Sequence, residues 1–184
     1  MRVIAGTWRG TALAALGKGD SGAQLRPTSD RVRESLFSML THHGVIEGAR
    51  VLDLFAGTGA LAFEALSRGA DYAVLVENGR VAQGLISENQ TKLRAKDQTR
   101  VFRQDATKLP AWGEKPFDLV FLDPPYGRDM GQKALKVAAA GGWLARGTMI
   151  VWEEAAPMQP PEGFALEDHR KYGDTHVTLL EFTG

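Results

Sequence analysis

The sequence predicts an α/β protein: a mostly parallel sheet with crossover helices, closed by an antiparallel hairpin. Three observations carry this. From Arg50 onward, short runs rich in Val and Leu alternate with stretches whose apolar residues recur at helical spacing, the pattern of strand–helix–strand units. Leu119–Leu122 is apolar without alternation, as expected where both faces of a sheet are covered. Near the end, Phe164–Arg170 and Val177–Phe182 are extended segments with no helix between them, so they should pair antiparallel at one sheet edge.

Taken in order, residues 1–27 read as a small irregular module. Val3 and Ile4 suggest a short strand, Gly6–Thr11 a hairpin, and Gly17–Gly22 a flexible loop. A helix follows near Asp30–Leu40, where Val32, Leu36, Phe37, Met39 and Leu40 form an apolar stripe that leaves Arg31, Arg33 and Glu34 off it. Thr28, Ser29 or Asp30 caps it. Strands are expected at Val51–Leu54, Tyr72–Val76, Val101–Arg103, Phe117–Leu122 and Thr148–Trp152, with helices at Leu61–Ser67, Val81–Leu93 and Gly131–Ala140. The division that follows is a hairpin-plus-helix extension, residues 1–45, on a sheet domain, residues 46–184.

Composition narrows the function. The absence of cysteine excludes disulfides, a cysteine nucleophile and Cys-based zinc sites. His42, His43, His169 and His176 lack metal-ligand spacing, and no Walker or nucleophile-elbow sequence occurs, so no metal is expected. The start lacks the apolar core of a signal peptide and no run reaches membrane-spanning length, so the expected location is the cytoplasm, without a membrane partner. A net charge of zero argues against a polybasic binder of bulk nucleic acid. Residues 1–40, however, hold six Lys/Arg against three acids, leaving the rest at −3. A basic front on an acidic body fits a local phosphate-contacting surface, with Arg2, Arg9, Arg26, Arg31 and Arg33 as its candidates, or else a solvated face. Trp8 lies in the same module, as an RNA contact or as core.

The chemistry is concentrated in Asp123-Pro124-Pro125-Tyr126, at the carboxyl end of a buried strand, where such sheets place ligands. The prolines hold φ near about −65° and carry no N–H, leaving the Asp123 carboxylate and the Pro124 carbonyl as neighbouring acceptors on a stiff elbow. Two acceptors beside the flat face of Tyr126 suit a planar base with an exocyclic NH₂. The acceptors take its two protons, the nitrogen lone pair is freed from the ring, and the ring stacks on the tyrosine. The tetrapeptide resembles the Asp/Asn-Pro-Pro-Tyr motif of methyltransferases acting on amino groups of nucleic-acid bases.

A second site is legible at Asp53-Leu54-Phe55-Ala56-Gly57-Thr58-Gly59, where the first strand turns into its helix. Gly57 and Gly59 allow a tight turn and close approach of a ligand. Glu77, twenty residues after Gly57, ends the second strand where an acid accepts ribose hydroxyls, with Asn78 beside it. Asp105, followed by Ala106, ends the third strand, placed for an adenine amino group. Gly57-x-Gly59-x-x-Ala62 also matches a dinucleotide fingerprint, which keeps a nicotinamide-dependent oxidoreductase or an inactive nucleotide-binding module as rivals. Against them stand Asp53, four residues before the first glycine, and the Asp-Pro-Pro-Tyr elbow, which has no part in hydride transfer.

Asp53 resembles the first-motif acid of S-adenosylmethionine enzymes, although Phe55 stands where their commoner pattern has a glycine. Arg26-Pro-Thr-Ser-Asp-Arg-Val-Arg-Glu-Ser-Leu-Phe37, Asp53–Gly59, Asp123–Tyr126 and Tyr172-Gly-Asp-Thr175, in this order, resemble the RsmD family. The resemblance implies a Rossmann-like class I methyltransferase fold with a seven-stranded sheet and a reversed final hairpin. It further implies methyl transfer from S-adenosylmethionine, with S-adenosylhomocysteine as product, to N2 of one guanine in 16S rRNA, presented as naked RNA or, as so small and neutral a chain favours, within an assembling 30S particle. Arg26–Phe37 would then lie beside the cofactor and RNA entrance. A DNA adenine-N6 or cytosine-N4 methyltransferase is the alternative, since the elbow fits any exocyclic amine.

Overall fold

The computed structural model describes residues 1–17 and 28–184. Its sheet has seven strands in the order β3-β2-β1-β4-β5-β7-β6. These are β1 (Arg50–Leu54), β2 (Tyr72–Val76), β3 (Thr99–Phe102), β4 (Phe117–Leu122), β5 (Leu144–Glu154), β6 (Phe164–Tyr172) and β7 (Thr175–Phe182). The first five run parallel, and β7 enters antiparallel between β5 and β6. Four helices accompany them: α1 (Asp30–His42), α2 (Ala60–Ser67), α3 (Arg80–Lys92) and α4 (Met130–Ala140). Ser29 is the cap of α1, its side chain accepting from Val32 N. Among the described residues no helix is long and apolar enough to cross a membrane.

Strand parity sorts the apolar runs into two cores. Val51, Leu75, Leu119, Phe121, Val151 and Leu179 face α1, α2 and α3, where Leu36, Phe37, Phe63 and Ile86 meet them. Leu52, Leu54, Val76, Val120, Leu122, Ile150 and Trp152 face α4, through Ala134, Leu135 and Ala138. Successive strand residues point to opposite faces, so a run apolar throughout is what a doubly covered sheet requires. The parity also carries past the apolar residues. Asp53 shares the α1/α2 side with Val51, and Glu153 shares it with Val151.

Two expectations change in detail. The fifth strand starts at Leu144, four residues before Thr148, because Leu144 pairs with Phe117 and extra residues of β5 bulge out before the ladder resumes at Leu119 and Met149. The amino-terminal hairpin is reduced to one bridge, Arg2 with Ala12, and Val3–Ile4 forms no regular strand, because the Ile4 and Ala5 amides are taken by a side chain of α2. Trp112 and Trp143 pack together on the α4 side of the sheet. They sit 4.3 Å apart, centroid to centroid, beside Phe117. The Gly17–Gly22 loop beyond Gly17 lies outside the described residues.

The amino-terminal segment is fastened to the sheet domain by buried polar side chains. Glu64 of α2, fully buried, accepts from Ile4 N at 2.8 Å and Ala5 N at 3.1 Å. Ser67 binds Trp8 N and Ala5 O, and Asn89 of α3 binds both backbone groups of Ala14. Gly6, at φ +83°, lies so close to Ser67 that a Cβ would overlap its carbonyl. Val3, Leu13 and α1 belong to the same apolar cluster as the α1/α2 face of the sheet.

Candidate active site

The sheet order reverses direction between β1 and β4, the place where open α/β sheets bind ligands beyond their strand ends. A cavity of about 750 Å³ opens there. One wall is the turn after β1. Gly57 and Gly59 have φ of +58° and +80°, and Gly59 begins α2 without a side-chain cap. Asp53 supplies the cap from the strand: its Oδ2 accepts from Ala62 N at 3.2 Å. Phe55 is held at φ +62°, the left-handed conformation in which a glycine costs nothing and a phenylalanine costs about 1–3 kcal/mol. The residue at the variant position thus keeps the backbone shape that the commoner glycine would give. Glu77 ties this turn to the next one, accepting from Gly57 N at 2.9 Å and Gly79 N at 2.8 Å. A carboxylate has about four acceptor positions, so Glu77 retains capacity for a ligand.

The elbow after β4 lines the cavity beside that turn. Phe121 pairs with Val151 in the ladder, so Asp123 and Glu153, one pleat further on the same face, stand at neighbouring strand tips. Among the described residues no hydrogen bond reaches the Asp123 carboxylate. Burial holds that carboxyl well above the usual range, and the charges of Glu153, Asp53 and Glu154 push it further up. Burial also raises Asp53 well above the ordinary value, opposed by the Ala62 hydrogen bond and reinforced by Glu77. Tyr126 is fixed through its hydroxyl, 3.5 Å from Glu153 Oε1 and 3.4 Å from Thr175 Oγ1. Thr28, just before α1, donates to Glu153 Oε2 at 3.1 Å. The segments around Thr28, Tyr126 and Thr175 therefore meet at one buried carboxylate.

Asp53, Glu77, Asp123 and Glu153 all line the cavity. Arg33, Arg80 and Arg128 line it as well, so the lining carries both signs of charge.

A family profile described as "Conserved hypothetical protein 95" matches residues 1–181. The chain belongs to this family. The "Ribosomal RNA small subunit methyltransferase D" of Escherichia coli strain K12 is 39% identical over 153 residues, covering 83% of this chain and 74% of that protein. The protein of the same name from Haemophilus influenzae is 35% identical over 187 residues, covering 98% and 93%. A solved structure described as a putative methyltransferase from Escherichia coli superposes with a TM-score of 0.85 at 36% identity, covering 100% of this chain and 98% of that one. The class I methyltransferase architecture expected from the sequence, with its reversed terminal hairpin, is the one observed.

In this family member most of the residues singled out from the sequence converge. Asp123, Pro124, Tyr126, Asp53, Phe55, Gly57, Glu77, Asn78 and Ala106 line the cavity. Gly59 does not line it, and acts through the turn it permits. Asp105 is also off the lining. Its Oδ1 is occupied by Thr107 N at 2.8 Å and Thr107 Oγ1 at 2.7 Å, bonds that hold its carboxyl below the usual range. Of the arginines, Arg2, Arg9 and Arg31 are exposed, and Arg26 lies outside the described residues.

Arg33 requires a correction. It is neither an exposed phosphate contact nor part of a solvated face, but fully buried. Its Nη2 donates to Asp30 and to Arg2 O, both at 2.6 Å, and its Nη1 stands 3.6 Å from Glu64. Trp8 packs against the α1/α2 core. Thr28, from within the Arg26–Phe37 motif, also lines the cavity, as do Arg80, Arg128 and Glu153, for which no motif predicts a site role. Parity along β5 was the available signal for Glu153.

Proposed function

We propose that this protein transfers a methyl group from S-adenosylmethionine to the exocyclic N2 of one guanine in small-subunit rRNA, within an assembling 30S particle in the cytoplasm. The observation that carries the reading is that the Asp123–Pro124 elbow and the Phe55–Thr58 turn leave the neighbouring tips of β4 and β1 and line one cavity. The names of the relatives support rRNA as the substrate class. When bound, the cofactor supplies an electrophilic methyl group on a sulfonium, and the residues present fit it. Glu77 would receive ribose hydroxyls, Asp53 and the turn would hold the amino-acid end, and Ala106 would border the base.

The reaction asks the chain for positioning. A base amine is a poor nucleophile because its lone pair is delocalised. Accepting its two N–H bonds on Asp123 and the Pro124 carbonyl turns the lone pair toward the methyl. Asp123 then takes the proton that the nitrogen loses as its new bond to carbon forms. Orientation of this kind supplies about 7–11 kcal/mol of barrier reduction. Stacking on Tyr126 adds about 1–3 kcal/mol. A guanine N2 within a helix is out of reach, so the target is flipped or unpaired.

Mass spectrometric mapping of small-subunit rRNA from a strain lacking the gene tests this. One N2-methylguanine should be missing, and restored by the gene in trans. An unchanged guanine pattern, or a methyladenine lost instead, would overturn the reading.

The exposed arginines bear on RNA affinity. Arg31→Ala and Arg9→Ala should each raise KM for unmethylated small subunits and make it less salt-dependent, by about one unit of log–log slope per lost phosphate contact. An unchanged slope would assign both to solvent.

A further inference from the structure

The elbow that receives an amine does not choose between bases, since guanine, adenine and cytosine all carry an exocyclic NH₂. The choice lies in the atom beside the amine. On the Watson–Crick edge guanine has a ring N1–H donor next to its amine, where adenine and cytosine have a bare ring nitrogen that accepts. A site for guanine therefore gains from a second acceptor next to the one that takes the amine.

The fold supplies one. Glu153 ends β5 beside the tip of β4, one pleat beyond the Phe121–Val151 pair, on the face that carries Asp123, and strands lie about 4.8 Å apart. It is 8% exposed and lines the cavity. Its hydrogen bonds are to hydroxyls alone: Thr28 at 3.1 and 3.5 Å and Tyr126 at 3.5 Å. No cation lies within ion-pair distance of it among the described residues. Those long bonds leave acceptor positions unfilled. A buried carboxylate so sparsely compensated is costly as a structural element. If its task were only to steady Tyr126 and Thr28, a neutral acceptor would do it at lower cost.

Building on the methyltransferase reading above, we infer that Glu153 is the specificity residue for guanine, its carboxylate accepting the N1–H while Asp123 and the Pro124 carbonyl accept the N2 protons. Thr28 and Tyr126 hold the carboxylate in the plane of the base that Tyr126 stacks. An adenine or cytosine in the same pose sets a ring-nitrogen lone pair against a carboxylate and is rejected. Tyr126 and Glu153 thus act as one unit, the first setting the plane of the base and the second its identity.

The test is a functional-group cycle with full-length enzyme on small subunits reconstituted from rRNA ligated to carry guanine or 2-aminopurine at the mapped position. 2-Aminopurine keeps the amine and lacks the N1–H. Wild type should prefer guanine in kcat/KM by about tenfold to hundredfold, and Glu153→Gln should narrow that ratio to within about threefold. Cofactor affinity, measured by calorimetry, should be unchanged in Glu153→Gln. Wild type treating the two bases alike would overturn the inference whatever the variant does. So would a Glu153→Gln enzyme that loses both substrates equally, which would make Glu153 structural. Failure of wild type on any guanine would instead sink the methyltransferase reading beneath it.

Discussion

Asp123→Ala should lower turnover on unmethylated small subunits by about 10²–10⁴-fold, the range typical when a positioned proton acceptor is lost. Affinity for S-adenosylhomocysteine should stay within a few-fold of wild type. The two effects separate because Asp123 stands on the elbow after β4, while the turn after β1 and Glu77 stand at other strand tips. The same substitution should raise the melting temperature of the ligand-free protein at neutral pH. Asp123 has its carboxyl lifted well above the ordinary value, by burial first and by Glu153, Asp53 and Glu154 after it. A group raised on folding contributes stability below its unfolded pKa and loses it as pH rises through the folded value. At neutral pH, above its unfolded pKa, Asp123 is therefore a cost, and its removal orphans no hydrogen-bond donor among the described residues. A variant with wild-type turnover would remove Asp123 from the chemistry. A lowered melting temperature would show that some donor does depend on it.

That trade-off explains why part of the site was legible in one dimension and part was not. Asp123, the two prolines and Tyr126 are contiguous, and the glycine turn is contiguous, so each announces itself at its own strand end. Strand types and their order along the chain followed from apolar runs for the same local reason. Glu153 belongs to the same wall, yet it is joined to Asp123 by the β4–β5 ladder and to Thr28 across 125 positions. Arg33 shows the limit from the other side. Helical spacing placed it off the apolar stripe, as it should for a charged residue. Nothing local signals that Glu64, 31 positions later, waits inside the protein to receive it. Phe55 is a milder case. The sequence shows the departure from glycine, and only the backbone shows that φ stays positive.

Glu64→Ala should cost about 3–5 kcal/mol of unfolding free energy, the usual consequence of leaving one member of a buried ion pair without its partner. Glu64 is fully buried and joins four groups: Ile4 N, Ala5 N, Arg68 Nε at 2.9 Å and Arg33 Nη1 at 3.6 Å. Truncation strands two backbone donors and leaves the fully buried Arg33 guanidinium with Asp30 as its remaining carboxylate. Equilibrium urea unfolding should show the midpoint falling by about 1–3 M. A loss under about 1 kcal/mol would mean that the amino-terminal segment is held by its apolar contacts alone. The consequence reaches the cavity, because Met1 and Arg33 are part of its lining and Arg33 binds the carbonyl of Arg2, next to Met1. Glu64→Gln keeps an acceptor for the two amides and removes the charge. If the amides dominate, it should recover most of the stability, and if the Arg33 pairing dominates, it should recover little. The second outcome would make the buried arginine, rather than the backbone clamp, the reason that the basic amino-terminal segment stays seated on the methyltransferase sheet.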